Sequence, residues 1–256
     1  MPLSRSRLLA WLAVLCLAPA ALTAQVQGKF PPDSFTNLKV LPKDITQRQL
    51  LDVMRGFTAA LGVRCPFCHV GREGMPLDSF DFASDQKRTK RTARIMLRMV
   101  HRIDDSTLTQ IPERETPNVE VTCFTCHRGV NRPMPLQNVL RTALDAGGLD
   151  SATRAYRDLR ARYYGRSAYD FGEGTLSELA IDLARDHKVD DAVGLLDLNA
   201  EFFPQSPGVP FARGDAYLAA GDTAQAVTWY QKALAVDSTF GPARGRLRRL
   251  GRGPGR

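Results

Sequence analysis

The 256-residue chain is 43% hydrophobic and 24% charged, an ordinary globular mixture with length for two modest domains. Its net charge of +8 suits an acidic protein or an anionic surface. No extended basic run is interleaved with aromatics, which argues against a nucleic-acid partner.

In chain order, Arg5 and Arg7 precede "LLAWLAVLCLAPAALTA", an apolar stretch ending in small residues. That order is the pattern of a secretory signal, so residues 1–24 are expected to be a signal peptide cleaved after Ala24, and the chain to be periplasmic or exported. The segment is short for a membrane span and contains Pro19, so an uncleaved anchor is the secondary reading. Leu15 spoils a lipoprotein signal at Cys16. With the signal removed, four of the five cysteines remain.

All four belong to two Cys-x-x-Cys-His units: "CPFCH" with Cys65, Cys68 and His69, and "CFTCH" with Cys123, Cys126 and His127. Redox disulfides are one reading, but no βαβ pattern surrounds either unit. A shared zinc site is another, but paired units making one site are typically about 15–20 residues apart, and Cys68 and Cys123 are much farther apart than that. Covalent haem accounts for the histidines: two thiols add to the two porphyrin vinyl groups, and the adjacent imidazole reaches the iron. Two covalently attached haem c groups are therefore expected, with His69 and His127 as axial ligands.

The sixth ligands decide the chemistry, because Met opposite His raises the reduction potential and an open position permits catalysis. Before the first unit, "DITQRQLLDVMRGFTAALGVRC" reads as a helix with a capping box from Thr46 to Gln49. Its stripe is Leu50, Met54, Phe57 and Leu61. Met54, eleven residues before Cys65, could fold back over that haem or simply pack in the core. Between the units, Ser84 to Ile103 reads as a second helix, capped by Ser84 or Asp85, with Met96, Met99, Val100 and Ile103 as its apolar stripe. Either Met96 or Met99 could reach the second haem, and His101 is a third candidate. Only His101 and His187 lie outside the two units, which disfavours paired histidines at both irons. The basic residues Lys87, Arg88, Lys90, Arg91, Arg94, Arg98 and Arg102 read as a solvated face, as partners for haem propionates, or as a docking patch for an acidic redox protein. Arg128 and Arg132, just after His127, are the stronger propionate candidates.

The runs "NLKVLPKDITQRQLLDVMRGFTAALGVRCPFCH", "FASDQKRTKRTARIMLRMVHRI" and "VEVTCFTCHRG" resemble the cytochrome c subunit of photosynthetic reaction centres over about residues 30 to 135. In that family the Met of the preceding helix is the usual sixth ligand. The resemblance thus implies Met54 for the first haem and Met96 for the second, with Met99 in reserve. The family subunit has four haems and this chain two CxxCH units. The segment from Asp104 to Thr122 also contains no histidine, where the family supplies one to a further haem.

After "RPMPLQ", Asn138 to Ala146 and Ser151 to Tyr163 read as helices broken by Gly147 and Gly148. From about Thr175 a 34-residue period pairs Leu183 with Tyr217, Ala192 with Ala226, Leu196 with Tyr230 and Pro204 with Ser238. This resembles tetratricopeptide repeats: one degenerate copy, one full copy and a capping helix from Pro242 to Leu250. Too few to stand alone, they are expected to pack on preceding helices and to offer either a peptide-binding surface or an architectural extension.

The expected fold is mainly α: a helix–turn–CxxCH dihaem domain (25–136), linking helices (137–172), tetratricopeptide-like repeats (173–250) and a basic tail (251–256). The expected function is electron transfer with a redox protein partner, acidic or membrane-associated, and no small-molecule substrate. Competing readings are a peroxidase or small-molecule reductase with one open iron, and a repeat-based binding protein with haem as scaffold. No distal acid–base cluster is visible in the sequence to favour the enzyme.

Overall fold

A computed structural model describes residues 29–251. The signal segment and residues 252–256 of the basic tail lie outside the described residues. Among those described, no helix is long and apolar enough to cross a membrane. The architecture is helical: α1 (Gln47–Leu61), α2 (Arg88–Arg102), a short α3 (Cys123–His127), α4 (Leu136–Tyr163), α5 (Glu173–Arg185), α6 (Val189–Phe202), α7 (Gly208–Ala219), α8 (Thr223–Val236) and α9 (Gly241–Arg249).

The start of α1 is the expected one. The Thr46 hydroxyl accepts from the Gln49 amide while the Gln49 side chain accepts from the Thr46 amide, satisfying donors that a helix N-terminus leaves unpaired. Gly62 ends the helix in the left-handed conformation. α2 differs from expectation: it begins at Arg88 without a side-chain cap. Ser84 instead accepts from the Gln86 amide, and Asp85 binds Asn37, Lys39 and Arg94. These hydroxyl and carboxylate groups are used by a preceding turn, so the capping reading fails there. In α4 the non-helical dihedrals fall at Gly147 and Gly148, the two residues expected to break it.

The core is unevenly distributed. Among the described residues, the buried apolar ones before Leu136 are Ala60 and Val130; the others run from Leu136 to Leu247. One cluster joins α4, α5 and α6 with Ala212 and Ala216 of α7. A second joins α8 and α9 with Phe211, Tyr217 and Leu218 of α7. Successive helices stack, α5 on α6 and α7, α7 on α8, α8 on α9. Of the residues paired by the 34-residue period, Leu183, Ala192, Leu196, Ala226 and Tyr230 are buried, Tyr217 is half-buried, and Pro204 and Ser238 are exposed. At Gly214 an added Cβ would fall 2.5 Å from the Tyr230 ring, so only glycine lets α7 approach α8 this closely. The Tyr230 hydroxyl donates to Asp215 at 2.6 Å, and Arg246 of α9 pairs with the same carboxylate at 2.9 Å.

Candidate haem sites

Each CxxCH unit folds into one tight helical turn. In the first, Cys65–Phe67 form a 3-10 turn, and the Cys68 and His69 amides both donate to the Cys65 carbonyl. In the second, the unit is α3 itself. Positions three and four apart on a helix share a face, so each turn gathers its two thiols and its imidazole on one side.

The two histidines are held differently. His127 Nδ1 lies 2.9 Å from the Val130 carbonyl, which fixes the ring and leaves Nε2 as the atom free to bind, a usual arrangement for a ligating histidine. His69 is packed edge-on to Phe82 at 4.9 Å, and Phe82 contacts Phe30 and Phe80. Its Nδ1 is buried without a hydrogen-bond partner. Burial first, then the Lys90 charge, pushes its pKa down to about 4; the nearby Phe82 backbone opposes this only in part. The ring is therefore neutral at physiological pH, the form that binds metal.

The cysteines are free thiols. Burial pushes Cys68 and Cys123 above the ordinary thiol value, the wrong direction for an attacking thiolate, so a redox-disulfide role is disfavoured. Nor does the fold bring the two units together as a cage: among the described residues no three His, Cys, Asp or Glu side chains converge on a metal position. That argues against one shared zinc site.

The remaining expected residues are placed as follows. Met54 lies half-buried on α1, and α1 packs against α3. The contact is close at the helix end, where the Gly129 amide donates to the Ala60 carbonyl at 2.8 Å. α2, by contrast, is anchored beside the first unit. The Thr89 hydroxyl donates to the Phe67 carbonyl, and Lys90 Nζ donates to the carbonyls of Phe82, Ala83 and Ser84 at 2.7, 3.0 and 2.8 Å. Met96 and Met99 face outward, 42% and 45% exposed, next to Ile95 at 58%. Arg128 takes the left-handed conformation (φ 51°), and it and Arg132 are exposed. His101 and His187 are also exposed, with His187 in the turn between α5 and α6.

The basic face of α2 is not uniform. Lys90 and Arg94 have side chains only 11% and 13% exposed, and Arg91 donates to the Asp85 and Gln86 carbonyls. These three fasten the loop that carries Phe82. Arg88, Arg98 and Arg102 remain on the outside.

Residues 11–152, more than half of the chain, match the family model of the photosynthetic reaction centre cytochrome C subunit. The chain belongs to that family. As a reaction centre cytochrome C relative it is a c-type cytochrome: it binds haem c covalently, its role is electron transfer, and its partner is a redox protein. The residues present fit the group. A neutral, half-buried imidazole at His69, an oriented one at His127 and four free thiols are the donor set that covalent haem requires. Apolar side chains such as Met96, Met99 and Phe124 are left uncovered in a region with almost no core of its own.

Sequence reasoning missed several contributors to these sites. Phe82, the Lys90 clamp and the Val130 carbonyl carry no motif; only the return of the chain brings them to the histidines. A cavity of about 560 Å³ beside Cys126 and Arg128 is likewise lined by Met134 and, from the helical array, by Tyr169, Thr175 and Glu178.

Proposed function

We propose that this cytochrome carries two haems, one at Cys65, Cys68 and His69 and one at Cys123, Cys126 and His127, and that it works as an exported electron carrier. The observation carrying this reading is that both units fold into the same one-turn presentation of two thiols and an imidazole. Bound haem supplies an iron that cycles between ferric and ferrous. The chain holds the His69 imidazole neutral and orients that of His127, packs the Phe30–Phe80–Phe82 cluster beside His69, and sets the potential through the sixth ligand. Met54 is assigned to the first iron and Met96 to the second, with Met99 as the alternative; Arg128 and Arg132 are assigned to propionates.

The packing of α1 on α3 supports close placement of the two haems, as rapid electron exchange between them requires. Arg88, Arg98 and Arg102 support an acidic partner surface that steers docking. The tetratricopeptide reading of α5 to α9 is supported by the helix stacking and by burial of Leu183, Ala192, Leu196, Ala226 and Tyr230, and it gives this region a role in holding a protein partner. The signal-like N-terminus supports export to the periplasm, where haem c is attached.

Carbon monoxide added to the dithionite-reduced, haem-loaded protein tests the carrier reading. Unchanged spectra and a ferric sulfur-to-iron band at both haems are expected. A carbon monoxide shift at either haem would expose an open iron and favour a peroxidase or reductase instead.

A further inference from the structure

The surroundings of the two CxxCH histidines differ in a way that separates the two sites electronically. His127 Nδ1 lies 2.9 Å from the Val130 carbonyl. A carbonyl that accepts from a ligating imidazole makes it a stronger donor to iron, which favours the ferric state and lowers the potential. His69 Nδ1 is buried without a hydrogen-bond partner, and of the charges felt at its ring that of Lys90 is the largest. We infer that Lys90, as a positioning residue, and the unpartnered His69 imidazole make the haem at Cys65 and Cys68 the higher-potential one of the two. This order rests on the two-haem reading with Met opposite His at both irons, and it deepens that reading: when the protein carries a single electron, the first unit holds it.

Lys90 is fixed where its charge counts. Its neighbour Thr89 donates to the Phe67 carbonyl inside the CPFCH turn, so the start of α2 is tied to the first unit itself. The Lys90 ammonium has three donors and spends them on the carbonyls of Phe82, Ala83 and Ser84, leaving none for a haem propionate. Phe82 in turn packs edge-on to His69 at 4.9 Å. The Lys90 side chain is only 11% exposed, and a charge so shielded from water is screened far less than a surface one. It is felt at Cys68 as well, together with that of Lys87. Neighbouring carboxylates do not cancel it. Asp85 is shared by Arg94 at 2.7 Å and Lys39 at 2.6 Å, and Asp81 accepts from the Ala83 and Ser84 amides. Lys39, Lys90 and Arg94 thus stand against Asp81 and Asp85, and the positive excess opposes the extra charge of a ferric iron. Arg128, the basic residue next to His127, is exposed, where solvent screens it.

Redox titration of the full, haem-loaded chain tests the order. Lys90→Met should lower the higher of the two midpoints and leave the other in place, and Lys90→Arg should keep both. Asp85→Asn removes a negative charge from the same cluster and should raise the higher midpoint. A loop that merely loosened would shift Lys90→Met and Asp85→Asn in the same direction, and that result would overturn the role given to the Lys90 charge. With Cys123→Ser and Cys126→Ser together, the haem left at the first unit should titrate nearer the higher parent midpoint. Should that chain fail to fold, the opposite shifts of Lys90→Met and Asp85→Asn still decide. In a parent chain carrying two haems, a Lys90→Met shift in the lower midpoint, or in neither, would overturn this order alone. A parent chain with haem at one unit only would overturn both the order and the two-haem reading.

Discussion

At the level of single residues, the first site depends on groups that the CxxCH motif does not contain. His69 is neutral because it is buried and because Lys90 stands close by, and Lys90 stands there because three carbonyls of the Phe82 loop hold it. Asp85 anchors the same region. Hydrogen bonds from Lys39, then Arg94 and Asn37, hold its carboxyl well below the usual carboxylate range. Its folded-state pKa is depressed, so its contribution is complete above the ordinary aspartate value of about 4 and is lost as pH falls through the lower folded value. Asp85→Asn should therefore lower stability at neutral pH and flatten its acid dependence, as thermal melts between pH 2 and about 7 would show. The Met54 assignment has a sharper readout. Met54→Leu should abolish the sulfur-to-iron band of one haem, lower that haem's midpoint and open it to carbon monoxide. If both midpoints stay put, Met54 is a packing residue.

At the level of elements, caps and close approaches set how the two units sit together. Gly62 both ends α1 and meets the turn after α3: an added Cβ would lie 2.1 Å from the Gly129 carbonyl oxygen, and its φ is 64°. Neither the backbone oxygen nor the left-handed angle tolerates a side chain. Gly62→Ala should cost roughly 2 kcal/mol or more in denaturant unfolding of the haem-loaded protein and, on the proposed two-haem reading, should disturb the spectra of both haems, since the contact joins the two units. A loss confined to one haem would show that α1 and α3 are not coupled in this way. In α2 the same logic corrects the idea of a continuous basic docking face. Its N-terminal half spends Lys90, Arg91 and Arg94 on the loop beside the first unit, leaving Arg88, Arg98 and Arg102 on the outside of the helix.

At the level of the whole molecule, the two halves are stabilised by different means. From Leu136 onward a contiguous apolar core holds α4 to α9. Before it, buried apolar side chains among the described residues are confined to Ala60 and Val130, so the packing of α1, α2 and α3 leans on the cofactor in the way other cofactor domains do. A haem-free chain with all four motif cysteines changed to serine should lose the α1–α3 region while the array persists. Limited proteolysis should then leave a resistant fragment beginning near Leu136, and helix content by circular dichroism should fall only in part. A protease-resistant 29–135 region without haem would refute this division of stability.

The amino-acid sequence by itself determined the cofactor class, through two CxxCH units whose spacing is dictated by the porphyrin. It also determined local structure wherever a short-range rule suffices: the Thr46–Gln49 capping box, the glycine break in α4 and the burial of Leu183, Ala192, Leu196, Ala226 and Tyr230. These are legible because capping, glycine dihedrals and helical periodicity act over a few residues. The tertiary structure decided what depends on distant chain segments meeting. It turned Asp85 from a helix cap into an ion-pair hub, turned Lys90 inward, packed Phe82 edge-on to His69, and set Tyr169 and Glu178 near Cys126. Burial and charge are properties of assembled neighbours, and no local pattern in the chain records them.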